Sequence, residues 1–175
     1  FGPVNAMSVR SVGCGRDGIV LGILDDRTAQ DIWVLSSADR KARPWLATPF
    51  SENQAQVSTD GRWLAYQSSE SGPAEVYVRP FPSGSGRWQI STEGGVFPIW
   101  RADGHELFYL TRTTAKLIAV DVHPQDSAIE AGAAQALFDD RFASYNNGGG
   151  HPYMNYAPAP EGQRFLMARN AAGEG

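Results

Sequence analysis

Cysteine is nearly absent. The chain of 175 residues holds one, Cys14, which excludes an internal disulfide and any cysteine-built metal cage. No stretch approaches the ~20 consecutive apolar residues that a bilayer crossing takes, so no membrane insertion is expected. Basic residues are outnumbered, 15 Lys and Arg against 19 Asp and Glu, leaving a net charge of −4. That removes the positive field a nucleic acid needs, and no nucleic-acid partner is expected. Helical periodicity is missing throughout. There is no initial Met, and residues 1–12 lack the cationic start and apolar middle of a secretory leader. Both ends are expected to be cut from something longer, or processed. The compartment stays open.

What the chain has in plenty is turn chemistry. Nineteen Gly and 11 Pro, with 11% aromatic and 19% charged residues, describe a globular, turn-rich chain and not a disordered one. The stretch Ser58-Thr59-Asp60-Gly61-Arg62-Trp63-Leu64-Ala65-Tyr66 shows the device. Gly accepts the positive φ that strains other residues, Asp bonds the backbone ahead of it, and an aromatic, apolar strand follows. Asp17-Gly18, Asp103-Gly104 and Glu161-Gly162 repeat it. From Asp17 to Asp60 is 43 residues, from Asp60 to Asp103 is 43 again, and Glu161 comes 58 later. Equal intervals of this size predict a blade repeat.

The first repeat reads as strands at 9–12, 19–24, 31–35 and 44–46, with 19–24 apolar enough to be buried on both faces. The second has strands at 54–57, 63–67, 75–79 and 87–90. The third has 98–100, 106–110 and 116–122, a polar stretch over 123–134, and a strand at 135–138. The fourth has 153–156 and 164–167. Four short antiparallel strands per ~43 residues predict an all-β chain, a β-propeller of about four blades, with a partial or half propeller included. A β-sandwich would not place Asp-Gly at one fixed point of each unit. The repeats fall at about 9–53, 54–97, 98–152 and 153–175 of a single domain.

The units at 57–66 and 99–109 resemble TolB-type, WD-like propeller repeats. Glu75-Val76-Tyr77-Val78-Arg79-Pro80-Phe81, with Gln89-Ile90-Ser91 and Gly94-Gly95, is similar to the propellers that follow bacterial serine/threonine kinases and to those attached to winged-helix regulators. The likeness covers about residues 15–167. Ser-Pro-Asp-Gly, usual in such repeats, here reads Ser58-Thr59-Asp60-Gly61, Arg101-Ala102-Asp103-Gly104 and Ala159-Pro160-Glu161-Gly162. Cys14-Gly15-Arg16-Asp17-Gly18 is the poorest copy. No kinase motif is present. The resemblance implies a bacterial protein, cytoplasmic or periplasmic, and a non-catalytic ligand- or protein-binding module, the sensor or scaffold part of a signalling protein. The alternative is a propeller hydrolase of esterase or peptidase type.

Antiparallel strands put the Asp-Gly turns at one face. The turns at 25–29, 68–73 and 111–115 and the links at 48–53, 92–97 and 139–152 fall at the other, around the channel mouth. Long loops on a rigid scaffold concentrate binding, so Tyr145, Asn146, His151 and Tyr153 of the longest link, with Glu70, are the candidate ligand- and partner-binding residues. The partner class is a protein, a peptide or a small molecule. No catalytic set is expected; His151 and Ser144 are the alternative. Ser83-Gly84-Ser85-Gly86 lacks the nucleophile-elbow pattern. His105, His123 and His151 lack metal-site spacing, and His105 and His123 read as surface residues. No metal or cofactor is expected, Asp139 and Asp140 being the alternative for a cation. Trp33, Trp63, Trp88 and Trp100 are expected between blades and Trp45 at an exposed edge. From the incomplete fourth repeat a homodimer through open blade edges is expected, the alternative being that Phe1–Val9 adds to the fourth blade and closes a small ring.

Overall fold

The computed structural model describes residues 8–15, 18–25, 29–82, 85–114, 116–126, 128–139 and 156–167. Among them there is no helix, and therefore none long and apolar enough to cross a membrane. The described residues form fourteen strands, paired into antiparallel sheets in sequence order. Blade 1 is β1 (Ser8–Gly15), β2 (Gly18–Asp25), β3 (Ala29–Ser36) and β4 (Ala42–Leu46). Blade 2 is β5 (Glu52–Val57), β6 (Trp63–Ser68), β7 (Glu75–Pro80) and β8 (Trp88–Gln89). Blade 3 is β9 (Gly95–Trp100), β10 (Glu106–Thr111), β11 (Lys116–Pro124) and β12 (Ile129–Asp139). Blade 4 contributes β13 (Tyr156–Pro158) and β14 (Phe165–Met167). β1 packs beside β5 and β5 beside β9, so the first strands converge as a propeller's inner strands do.

The Asp-Gly and Glu-Gly turns are copies in three blades. Gly61, Gly104 and Gly162 take φ of 77°, 76° and 73°. Their N–H groups bond the carbonyls of Ser58, Arg101 and Ala159 at 2.9, 3.0 and 2.8 Å. Asp60 Oδ1 accepts the Arg62 N–H, and Asp103 Oδ1 the His105 N–H. Gly18 differs: it lies in β2, paired with Gly15 and Ser36.

Each blade buries its faces only against a neighbour. Val20 and Ile32 meet Leu64, Tyr66 and Tyr77 between blades 1 and 2. Trp63, Ala65 and Val78 meet Trp100, Leu107 and Tyr109 between blades 2 and 3. Phe108 and Leu110 meet Tyr156 and Phe165 between blades 3 and 4. Fully burying such a side chain contributes roughly 1.5–3 kcal/mol.

Hydrogen bonds fix the spacing of these layers. Trp45 Nε1 donates to Pro82 O and Trp100 Nε1 to Gln56 O, each across a blade boundary. β5 and β9 bulge at one shared place, where Gln54 and Phe97 turn left-handed at φ 54° and 55°. The Phe97 N–H, out of register in its own sheet, donates to Gln67 Oε1 of blade 2 at 3.1 Å. The Phe97 carbonyl accepts the Tyr156 hydroxyl of blade 4 at 2.7 Å.

Several sequence-based boundaries move. β12 runs over Ile129–Asp139, so most of the polar stretch is strand, and the Gln125 N–H bonds the Ala128 carbonyl between β11 and β12; the nine-residue β11 supplies a ladder that Ala and Gly would not choose. His123 lies in β11, not in a loop. β2 is not buried on both faces, since Ile19 and Leu24 are 38% and 37% exposed. Trp45 is half-buried against Phe81, not exposed. β5 begins at Glu52, two residues early, and β8 has two residues only.

Gly104 has open space where a Cβ would stand, so Gly104→Ala isolates the backbone cost, about 1–2 kcal/mol. Gly162→Ala should cost more, its Cβ meeting Arg101 Cδ at 2.8 Å. Urea melts of the two variants test this, and equal losses would refute the difference. Tyr156→Phe strands the Phe97 carbonyl and should cost about 1–3 kcal/mol in the same assay.

Candidate recognition end

Strand direction decides which loops share an end. β5 and β7 run toward the Asp-Gly turns and β6 and β8 run back, so the turn 69–74 lies with the links 47–51 and 90–94. The turn 112–114 joins them, and Asp139, ending β12 opposite Lys116, finishes at this end too. The face division expected from the sequence therefore holds for the described loops. His105 and His123 are both exposed and stand at the opposite end, beside the Asp-Gly turns. Ser144, Tyr145, Asn146, His151, Tyr153 and Asp140 lie outside the described residues, as does the side chain of Asp139.

Glu70 is the one candidate described in full. It sits in the turn after β6, half-buried, and its Oε2 is paired with the Arg87 guanidinium. Arg87 lies over the Tyr77 ring, 5.2 Å from its centroid. The Tyr77 hydroxyl meets the Ser71 hydroxyl at 2.6 Å, and Tyr66 stacks on Tyr77 with centroids 5.8 Å apart. Ser68 Oγ accepts the Glu70 N–H at 3.2 Å and reaches Glu52 Oε1 at 3.5 Å. Glu52 also takes the Thr48 hydroxyl. Glu52, Ser68, Glu70, Tyr66, Tyr77 and Arg87 are thus one polar cluster on the side of blade 2 that faces blade 1. β-Pairing builds it: Glu52 opposes Ser68, and Tyr66 opposes Tyr77.

A second carboxylate, Glu75, does a different job. Its Oε1 accepts the Gly94 N–H at 2.8 Å and its Oε2 the Ser91 hydroxyl, while Ser91 Oγ accepts the Val76 N–H at 2.7 Å. These bonds clamp the link between blades 2 and 3. A Cβ on Gly95 would stand 2.3 Å from Ser91 Oγ, so only glycine lets the link close.

Burial pushes the Glu52 carboxyl above its ordinary value, Thr48 and Ser68 oppose the rise, and the charge of Asp31 on β3 adds to it. Burial also raises the Tyr66 hydroxyl, and nearby Glu70 and Glu52 add to that. Among the described residues no three His, Cys, Asp or Glu side chains converge as a metal site. The sequence reading named Glu70 as a candidate and did not name its neighbours Glu52, Ser68 and Arg87. Their meeting is set by strand register over 16–35 residues and leaves no local motif.

No family model matches the chain, and no curated protein does. Solved structures do. An Agrobacterium tumefaciens protein assigned as TolB superposes with a TM-score of 0.54 at 14% identity, over 74% of this chain and 51% of that one. TolB from Acinetobacter baumannii gives 0.52 at 12% identity, over 71% of this chain and 32% of that one. The fold is that of a TolB-like β-propeller. The chain spans about half the length of the first structure and about a third of the second.

Folded Glu52 holds its proton more tightly than unfolded Glu52, so its contribution falls as pH rises from the ordinary 4.5 through the raised value. Glu52→Gln should therefore melt above wild type near pH 8, with the gap closing toward about pH 4. A gap that widens on acidification would contradict the assignment. Ser91→Ala leaves Glu75 and the Val76 N–H short of partners and should cost about 1–3 kcal/mol by urea melt.

Proposed function

We propose, for a chain with the TolB-like propeller fold, a non-catalytic binding module that holds a peptide or protein partner at the channel-mouth end. The observation that carries this is the division of labour between the two ends. The Asp-Gly end spends its polar groups internally: Asp60 and Asp103 bind their own turns and pair with Arg62 and Arg101. The other end offers turns and links on a frame already fixed by its clamps, with Pro73, Glu93 and Thr113 exposed. Rigid frames that present loops spend little ordering entropy on binding. Resemblance alone supports the finer reading, a sensor or scaffold part of a bacterial signalling protein. The hydrolase alternative would rest on His151 and Ser144, which lie outside the described residues.

Panning a displayed peptide library against the immobilised chain tests the reading. Enriched peptides should lose at least tenfold in affinity with Glu93→Arg or Thr113→Arg and be unaffected by Ala102→Arg at the opposite end. Peptides that respond only to Ala102→Arg would sink it.

The open-edge homodimer remains part of the proposal. Leu166 of β14 is 76% exposed, more than any other large hydrophobic described. Light scattering at micromolar concentration should give about twice the 19.0 kDa chain mass, and a monodisperse 19.0 kDa species would rule the dimer out.

A further inference from the structure

The second strands of the blades keep one rule of facing. Leu64 and Leu107 stand at the same place in blades 2 and 3, four residues after the turn's Asp. Leu64 packs backward on blade 1 and Leu107 backward on blade 2. Their neighbours Ala65 and Phe108 point to the other side, as alternation along a strand requires, and pack forward on the blade that follows. All four are 0% exposed. Inside the chain a forward face therefore always meets a backward face.

The two ends of the arc keep the rule without a mate. In blade 4, Phe165 stands at the place of Leu107 and packs backward on Phe108. Leu166 stands at the place of Phe108 and faces forward. Among the described residues no blade covers it, and it is 76% exposed where its counterparts are 0%. In blade 1, Val20, Ile32 and Val34 take the side of blade 2, so Leu21, at the place of Leu64, faces backward. It opposes Trp33 across β2 and β3, and Ile19 opposes Leu35, so these four share one apolar side. Leu21, Trp33 and Leu35 are half-buried, and Ile19 is 38% exposed.

We propose that the forward face of blade 4, through Leu166, seats on the backward face of blade 1 of a second copy, around Ile19, Leu21 and Leu35. The inference rests on the homodimer reading and names its interface, which joins blade faces in place of strand edges. The contact continues the packing already made at three blade boundaries, so it needs no new kind of surface. The chain's own blade 1 is not the mate, since Leu166 would then be covered. A twofold axis along the channel makes two equal contacts at once, blade 4 of each copy on blade 1 of the other. Two arcs of about four blades then close a ring of about eight, within the usual range. The rim strands are poorer joints. β4 carries Arg43 and Pro44, β8 has two residues, and the long β12 breaks its register twice, all of which blunt an edge.

Light scattering of the full chain and three variants at micromolar concentration tests the interface. Leu166→Arg alters an exposed side chain, and Ile19→Arg installs the residue that blade 2 carries at that place, the exposed Arg62. Cooperative urea melts confirm that both fold. Wild type should run near twice the 19.0 kDa chain mass and each variant alone at 19.0 kDa. An equimolar mixture of the two variants should regain a dimer, because one of the two contacts in the mixed pair carries neither substitution. Leu137→Arg, on the rim strand β12 at 41% exposure, should remain dimeric. A dimer that survives Ile19→Arg or Leu166→Arg, a mixture that stays at 19.0 kDa, or a dimer lost in Leu137→Arg would overturn this interface and leave the homodimer standing. Wild type at 19.0 kDa would overturn both.

Discussion

The Phe97 peptide is where three blades hold one another. A left-handed φ of 55° on a bulky residue is strained by roughly 1–3 kcal/mol and persists only if its surroundings over-determine it. Here they do. Gln67 of blade 2 takes its N–H, Tyr156 of blade 4 donates to its carbonyl, and its ring is buried between blades 3 and 4. The bulge turns two ladder groups out of their own sheet, and the neighbouring sheets accept them. Blades that could otherwise slide on greasy faces are held in one register. Gln54 repeats the left-handed bulge in β5, so the same device sits in successive inner strands.

From this constraint the asymmetry of the two ends follows. With inner strands fixed by bulges near the links, the turns at the Asp-Gly end need only close hairpins, and they do so with short internal bonds. The links must do more, because each changes blades. The link between blades 2 and 3 is clamped by Glu75 and Ser91 with complete saturation. The link between blades 1 and 2 is tied by Thr48 to Glu52 and by the Ser51–Ser69 pair, with an acceptor left over. Two links of equal rank in the fold thus differ in how fully their carboxylates are used. Burial alone does not distinguish them, because both glutamates are buried.

Much of the fold was legible in the sequence because its signals are local. A glycine that must be left-handed announces itself beside an Asp or Glu, and three of the four such dipeptides have φ within a few degrees of one another. Gly18 is held in β2, where a Cβ would strike Leu35 O at 2.3 Å, so its glycine is a packing requirement; Asp17 lies outside the described residues. β12 was under-read for the opposite reason. Ala131-Gly132-Ala133-Ala134 carries almost no strand propensity, and the conformation comes from the partner β11. Trp45 shows what composition cannot give: its indole was recognisable, but its acceptor, Pro82 O, is 37 residues away in the next blade.

The candidate site was barely legible, and register explains why. Glu52 is one polar residue among several before a strand, indistinguishable in sequence from Glu93 in the equivalent link. Its character appears only when β5 pairs with β6, bringing Ser68 opposite and Glu70 just beyond, and when β8 brings Arg87 alongside Tyr77. A slip of one residue in β5 would send Glu52 to the blade 3 side, where Asn53 now points with Gln67. The bulge at Gln54 lies directly after this pair and limits such a slip, because the extra residue can be accommodated only where the ladder breaks. The left-handed bulge that β5 shares with β9 is therefore also what keeps the Glu52 carboxylate on the side of Tyr66 and Tyr77.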